Sequence, residues 1–328
     1  MIHSPTRRRV AAAALLALCA GVTATVAHAQ AFPTQPIKIV VPYPPGGTND
    51  LVARLLAQKL QEQVGQTVMV ENKPGVSGNT GADAVAKSPA DGHTLILVTT
   101  GHSIAPSLYP KLPYNIATDL VPVAELTAGP MLVLTNPNGP LKTMGDLIAA
   151  AKAKPGHLNY GSAGNGSTTH LSSELIATTA GVKFNHIPYK SSAQSVIDLI
   201  SGRLDMQFAT IPPTLTNINA GQVRALATTG TQRVAALPDL PTMIEAGVLN
   251  YEASLWIAMV APAGTPANIV ARLNREVNEV LNLPQVKANM TAQALDIDPG
   301  PPEALTARIR NDIEKWRKVI AQGNIKAE

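Results

Sequence analysis

Short β-branched runs alternate with helix-period segments along most of this chain, and that alternation restricts the fold more than any other feature. Ile37-Lys38-Ile39-Val40-Val41 reads as a strand. Beyond the loop from Pro42 to Gly47, Leu51, Val52, Leu55, Leu56, Leu60 and Val64 recur at helical spacing until Gly65 stops them. Residues 67–70 and 94–98 read as the next strands, in the strand–helix–strand order that builds parallel βαβ units. A second set begins at Met131-Leu132-Val133-Leu134. Thr143 with Asp146 predicts a helix start, residues 158–160 a short strand, and Leu171, Leu175 and Ile176 a helix ended by Gly181. Ser191 and Gln194 form a capping-box pattern before Val196, Ile197 and Ile200, and residues 204–209 and 223–227 read as strands. Thr265 as N-cap and Pro266 at the first helical position predict a helix through Ile269, Leu273, Val277 and Val280. Leu305, Ile309, Ile313, Trp316 and Ile320 form the stripe of a last helix, whose basic residues, Arg308 among them, are expected on a solvated face. At about 100–200 residues per domain, 328 residues suffice for two α/β lobes.

The first 29 residues stand apart. Arg7, Arg8 and Arg9 precede an apolar run from Val10 to Val26, and Ala27-His28-Ala29 supplies the small residues of a cleavage site. The run is shorter than the ~20 apolar residues that a membrane span needs. The expectation is an exported, periplasmic protein with its signal cleaved after Ala29. Leu18 is too bulky a neighbour for lipid attachment at Cys19, and the arginines leave Sec and twin-arginine export both open. Cleavage removes three Arg and the only Cys, lowering the formal charge from +4 to +1. A near-neutral chain without a basic run lacks the footprint that nucleic acid demands. A cysteine-free chain suits an oxidising compartment, and without paired histidines it offers no zinc site.

Enzyme signatures are missing: no G-x-S-x-G elbow, no Walker A loop and no H-E-x-x-H. What stands out are two Gly-rich loops at matching places in the two sets. Tyr43-Pro44-Pro45-Gly46-Gly47-Thr48-Asn49-Asp50 runs from a strand end into a helix, and Tyr160 to Thr169, through Ser162, Gly164, Asn165, Ser167 and Thr168, does the same. Ligands of open α/β sheets bind beyond the carboxyl ends of strands. Helix N-termini there offer unpaired N–H groups and partial positive charge to an anion. Residues 43–53 and 161–182 contain no Lys or Arg. An anion between the loops would rest on backbone amides and hydroxyls, which favours a small carboxylate. Gly47 and Gly164 are expected to stand where a valine would abolish binding while leaving the fold intact. Thr100, His102 and Ser103, after the strand at 94–98, are further candidate donors, and Tyr189 and Asp205 sit at strand edges where they could orient water or brace a loop.

The combination PYPPGGTND, ENKPGVSGNTGADAVAKSPADGHTL, LNYGSAGNGSTTHL, HIPYK, GRLDMQFAT, GQVRALATTGTQR, LPDLPTMIEAG and APAGTPA resembles the tripartite tricarboxylate transporter substrate-binding proteins, also called the Bug receptor family, from about Pro36 to Ile320. The resemblance implies a two-lobed periplasmic binding protein-like fold of type II with the ligand cleft between the lobes. It implies lobes at 32–129 plus 253–328 and at 130–252. One carboxylate is then clamped between the loops at Tyr43–Asp50 and Ser162–Thr168, with Asp205 near the cleft floor. Departures from the family pattern at Asn115, Ser191 and residues 254–258 bear on which solute is bound, not on the fold.

The function expected is capture of a small carboxylate-bearing solute and its delivery to tripartite tricarboxylate-type membrane transporter subunits, by a monomer without cofactor or metal. Two rivals stay open. One is a ligand-presenting component for a signalling partner. The other is a periplasmic enzyme using His102 or His170 beside Ser103 or Ser167.

Overall fold

The computed structural model describes residues 32–249, 251, 253–297 and 299–326; the expected signal and its cleavage point lie outside them. The chain divides into a unit ending at Thr34 and a unit Gln35–Glu328 that carries every element below. In order these are β1 (Ile37–Val41), α1 (Thr48–Val64), β2 (Val68–Asn72), α2 (Asn79–Ala86), β3 (Thr94–Thr99), α3 (Thr100–Leu108) and β4 (Leu120–Thr135). There follow α4 (Met144–Ala153), β5 (Asn159–Ser162), α5 (Thr168–Ala180), β6 (Asn185–Pro188), α6 (Ser192–Ile200), β7 (Met206–Thr210), α7 (Leu215–Asn219) and β8 (Arg224–Thr228). The chain then forms β9 (Ser254–Pro262), α8 (Ala267–Asn282), α9 (Pro284–Ala292) and α10 (Pro302–Gly323).

The strands join in the order β2-β1-β3-β9-β4-β7-β5-β6, with β8 also on β4. β1 is parallel to β2 and β3, and β5 is parallel to β6 and β7, as βαβ units require. The parallel reading does not extend to the middle of the sheet. There β9 runs antiparallel to β3 and β4, and β4 antiparallel to β7 and β8. β1 is apolar and buried almost throughout, as a strand covered on both faces must be.

β4 is the strand the sequence hid. Leu120–Pro130 pair with β9, and Met131–Thr135 pair with β7 and β8, so one strand serves both sets. Pro122 and Pro130 argue against a strand, and only the apolar end at Met131 was legible. Register shifts at Pro122/Ala124 and Glu125/Thr127 absorb the irregularity. Past the switch the side chains alternate. Met131 and Val133 join Tyr160, Leu171 and Phe208 in one core, while Leu132 and Leu134 join Val196, Leu199 and Ala209 in another. A third core holds Val40, Ile96, Val98, Ala258 and Val260. α10 spans two cores, Leu305 and Ile309 packing into the third and Trp316 and Ile320 into the first.

The helix ends follow local chemistry. Gly65 and Gly181 close α1 and α5 in the left-handed conformation, and Thr143 and Asp146 form a reciprocal capping box. Two local expectations are corrected. Pro266, not Thr265, stands at the cap of α8, because the Thr265 hydroxyl donates to the Pro262 carbonyl at 2.7 Å. Arg308 does not lie idle on a solvated face; it reaches buried Glu125 at 3.0 Å. Among the described residues no helix is long and apolar enough to cross a membrane, and no group of three or more His, Cys, Asp or Glu could hold a metal ion.

Candidate functional site

A cavity of about 90 Å³ lies where helix N-termini from both sets of elements converge. The start of α1 supplies Gly47, Thr48 and Asn49, with Tyr43 and Pro44 before it; α3 supplies its cap Thr99. From the other set, α5 brings Ser167, Thr168 and Thr169, and α6 brings Ser191, Ser192 and Ala193. Met131, Thr210, Pro213, Ala163 and Leu255 complete the wall. Among the described residues no charged side chain lines it. Four helix N-termini around one space make a positive potential without an ionised group.

Three of those termini are capped from within. Thr99 Oγ1 accepts the Gly101 N–H at 3.2 Å, Ser167 Oγ the His170 N–H at 3.2 Å, and Ser191 Oγ the Gln194 N–H at 3.4 Å. The cap of α1 is Gly47, which has no side chain to give. Thr48 Oγ1 donates to Thr210 Oγ1 at 2.8 Å, tying α1 to the end of β7.

The first loop is held from behind. The Asp50 carboxylate accepts the Gly46 N–H at 3.1 Å, two bonds from Arg54 at 2.9 and 3.0 Å, and one from Asn72 at 2.9 Å; Asn72 also donates to the Tyr43 carbonyl. Burial pushes the Asp50 carboxyl up, but the bonds from Arg54, Asn72 and Gly46 outweigh it and hold it below its ordinary range. The Tyr43 hydroxyl bonds the Ser77 carbonyl and Thr99 Oγ1, both at 3.2 Å, and burial pushes its pKa up to about 12.

The second loop differs from expectation. Four of its amides are taken within the protein: Ala163 N–H donates to Thr169, Gly164 N–H to Ser162 Oγ, Gly166 N–H to His170 Nδ1 and Ser167 N–H to the Gly164 carbonyl. What it presents to the cavity is Ser167 and Thr168. Gly164, Asn165 and Tyr189 line a neighbouring opening of about 600 Å³ with Ser77, Tyr109 and Lys190. The Asn165 carbonyl accepts from Ser77 Oγ at 2.5 Å and from the Tyr109 hydroxyl at 2.6 Å, a second tie between the two sets.

Of the residues singled out in the sequence, Tyr43, Gly47, Thr48, Ser167 and Thr168 therefore meet at the cavity. Gly46 and Asp50 act one layer behind, and Ser162, fully buried, bonds His186 Nε2 at 2.7 Å. Thr100, His102 and Ser103 line neither space. Thr100 Oγ1 donates to the Ser254 carbonyl and accepts the Trp256 N–H, His102 Nδ1 accepts the Thr99 N–H at 3.0 Å, and Ser103 is wholly buried. Asp205 stands just before Met206, the first residue of β7, whereas Thr210 at its far end reaches the cavity, roughly 16 Å along a strand. Its carboxylate accepts the Asn159 N–H at 2.7 Å, bracing β5. Burial pushes His102 down to about 4, and burial with His186 alongside pushes His170 down to about 3, so both rings are neutral at pH 7. Met131, Thr210, Pro213 and Ala193 were missed, because each is an ordinary strand or helix residue whose place depends on distant pairing. The positions of Ser191 and Leu255 had a signal, since both fall where the sequence departs from the family pattern.

Two α/β sets sharing a strand, with a partly open cavity at their helix N-termini, define a solute-binding receptor of the periplasmic binding protein type. The chain belongs to the tripartite tricarboxylate transporter family of receptors, whose description matches residues 52–325. Protein BugT of Bordetella pertussis is 38% identical over 321 residues, 97% of this chain and 98% of that protein. A solved R. palustris protein with adipate superposes with a TM-score of 0.87 at 37% identity, covering 90% of this chain and 99% of that one. MatC from Rhodopseudomonas palustris with bound malate gives a TM-score of 0.84 at 31% identity, covering 88% and 100%.

Proposed function

We propose that this protein is a monomeric periplasmic receptor that holds a small solute by one carboxylate at the open N-terminus of α1. It then hands that solute to a tripartite tricarboxylate-type membrane transporter. The observation that carries the reading is the cavity itself, with four helix N-termini and no charged side chain around it. Adipate and malate in two related structures support a carboxylate. Ser167 and Thr168 supply hydroxyl donors opposite the Gly47 turn, as the matching loops suggested.

Lobes at 32–129 plus 253–328 and at 130–252 are part of this reading, with α10 bridging them through Leu305 and Ile309 in one core and Trp316 and Ile320 in the other. β4 changes partner between Pro130, which pairs with Ser254, and Met131, which pairs with Thr210. A hinge there would let ligand bridge the two sides and shift the open–closed population. The Thr48–Thr210 and Ser77–Asn165 bonds are contacts that such an opening would break.

Titration calorimetry of the purified protein against mono-, di- and tricarboxylates, acidic amino acids and aromatic acids tests capture. Binding of at least one acid, and none of its amide, is the expected result; silence across the panel removes the reading. Deleting the gene is expected to abolish uptake of the acid so identified. Normal uptake would transfer the role to a signalling partner.

A further inference from the structure

Asn49 stands in the first turn of α1, lines the cavity and is only 8% exposed. Of the described side chains around this cavity, it is the one with a buried polar atom that no partner meets, its Oδ1. The others are engaged or adaptable. Thr48 bonds Thr210, Thr99 bonds Tyr43, Ser167 bonds Thr169, and Ser191 caps α6. Thr168 and Ser192 carry hydroxyls, which rotate to donate or to accept. A buried carbonyl oxygen without a donor weakens the fold that holds it. In the same turn, Asp50 and Leu51 give their N–H groups to the Gly47 carbonyl at 3.0 and 3.1 Å, which leaves those of Thr48 and Asn49 for a ligand's carboxylate.

We propose that Asn49 is a specificity-determining residue, through which the cavity prefers acids that carry a hydroxyl beside the carboxylate. This rests on the carboxylate reading above and narrows it. A carboxylate at the start of α1 accepts and never donates, so it satisfies N–H groups and the Asn49 NH₂ but not Oδ1. A hydroxyl a carbon or two away supplies the donor that the folded chain withholds from that oxygen. An ammonium would donate too, but it would bring positive charge among the positive ends of four helices, with no carboxylate among the described residues lining the space. A site built to bond a hydroxyl rejects the analogue that lacks it, because its own buried polar group is then left unpaired.

Two measurements on the purified protein test this. The first needs no ligand. Asn49→Leu replaces the amide with an apolar group of similar size, and denaturant unfolding is expected to find it as stable as the parent or up to about tenfold more so in the unfolding equilibrium. A clear loss of stability in both Asn49→Leu and the smaller Asn49→Ala would mean that the amide serves the fold, and the inference fails. The second measurement compares propionate with lactate and alanine, and succinate with malate and aspartate, by titration calorimetry. In at least one set the hydroxy acid is expected to bind about tenfold or more tightly than both relatives, and in the Asn49 variants its lead over the deoxy acid is expected to shrink to about threefold or less. Deoxy acids that match their hydroxy acids would mean that water meets Oδ1, and amino acids that bind tightest would mean a charged donor. Either result overturns the inference and leaves the carboxylate reading standing. A lead that survives in the variants would place the recognition of the hydroxyl elsewhere, and the inference fails. Silence from all six acids overturns it too, and silence across the wider panel as well would take the carboxylate reading with it.

Discussion

The hydroxyls of Thr48 and Thr210 meet at 2.8 Å, joining the first turn of α1 to the end of β7 across 162 positions of sequence. Both line the cavity, so the bond that ties α1 to β7 also borders the proposed place of the ligand. Thr48→Ala is expected to weaken binding by about 0.5–1.5 kcal/mol, or about 1.5–3 kcal/mol if the hydroxyl also donates to the ligand's carboxylate. Calorimetry on Thr48→Ala, Thr210→Val and the double variant measures the coupling; strictly additive losses would mean that the pair acts as two separate contacts.

Gly47 and Gly164 are not equivalent, although their loops match. Gly47 has an extended backbone, φ −84° and ψ 169°, and an added Cβ meets nothing within 4 Å. Gly47→Val is expected to melt like the parent and to lose binding because the branched side chain projects beside the anion's place. Gly164 has φ +107°, and its Cβ would stand 3.0 Å from Ser77 Oγ, in the bond that holds Asn165. Gly164→Val is expected to lower stability by about 1–3 kcal/mol as well, read by denaturant unfolding. Equal stability of the two variants would refute the distinction.

Three neutral histidines make the fold acid-sensitive. His170 and His186 stack at 4.1 Å, and burial lowers them to about 3 and about 4; burial lowers His102 to about 4. An unfolded histidine titrates near 6.5, so below that the unfolded chain takes up protons first. Their contribution is complete above about pH 6.5 and is lost as pH falls toward 4, at about 1.4 kcal/mol per pH unit for each group. Thermal melts from pH 7.5 to 4.5 are expected to show a falling Tm, with a shallower slope in His186→Gln. A flat profile would show that these rings are not held neutral.

Asp50 works in the same direction at lower pH. Its carboxyl is depressed in the fold, so its contribution is present above the unfolded value near 3.9 and is lost as pH falls through the folded value. Asp50→Asn removes the charge from Arg54 and loosens the Gly46 turn. A stability loss of about 1–3 kcal/mol and weaker ligand binding are expected together at pH 7. Unaltered affinity would mean that the turn does not depend on this carboxylate.

Affinity is expected to change little with salt. Among the described residues no cation lines the cavity, so long-range attraction for an anion is small and screening has little to remove. Calorimetry at low and physiological ionic strength checks this; a steep dependence, or an Arg or Lys whose removal abolishes binding, would place the ligand elsewhere.

The sequence by itself determined what short-range chemistry decides. The buried run of β1, the glycine ends of α1 and α5, the Thr143 box and the two small-residue loops at helix starts each depend on neighbours within a turn or a strand. The tertiary structure decided what distance assembles. Only the Met131 end of β4 is legible, because Pro122 and Pro130 read as strand breakers and are accommodated only in the pairing with β9, with a register shift beside Pro122. Met131, Thr210 and Leu255 become cavity walls only once β4, β7 and β9 are aligned. The two loops look alike in composition, yet one starts its helix at a glycine with no side-chain cap and the other caps its helix through Ser167 and spends its own amides on Ser162, Thr169 and His170. Local pattern fixes where a helix can begin; which N–H groups remain free for a ligand depends on hydrogen-bond partners that only the folded chain brings within reach.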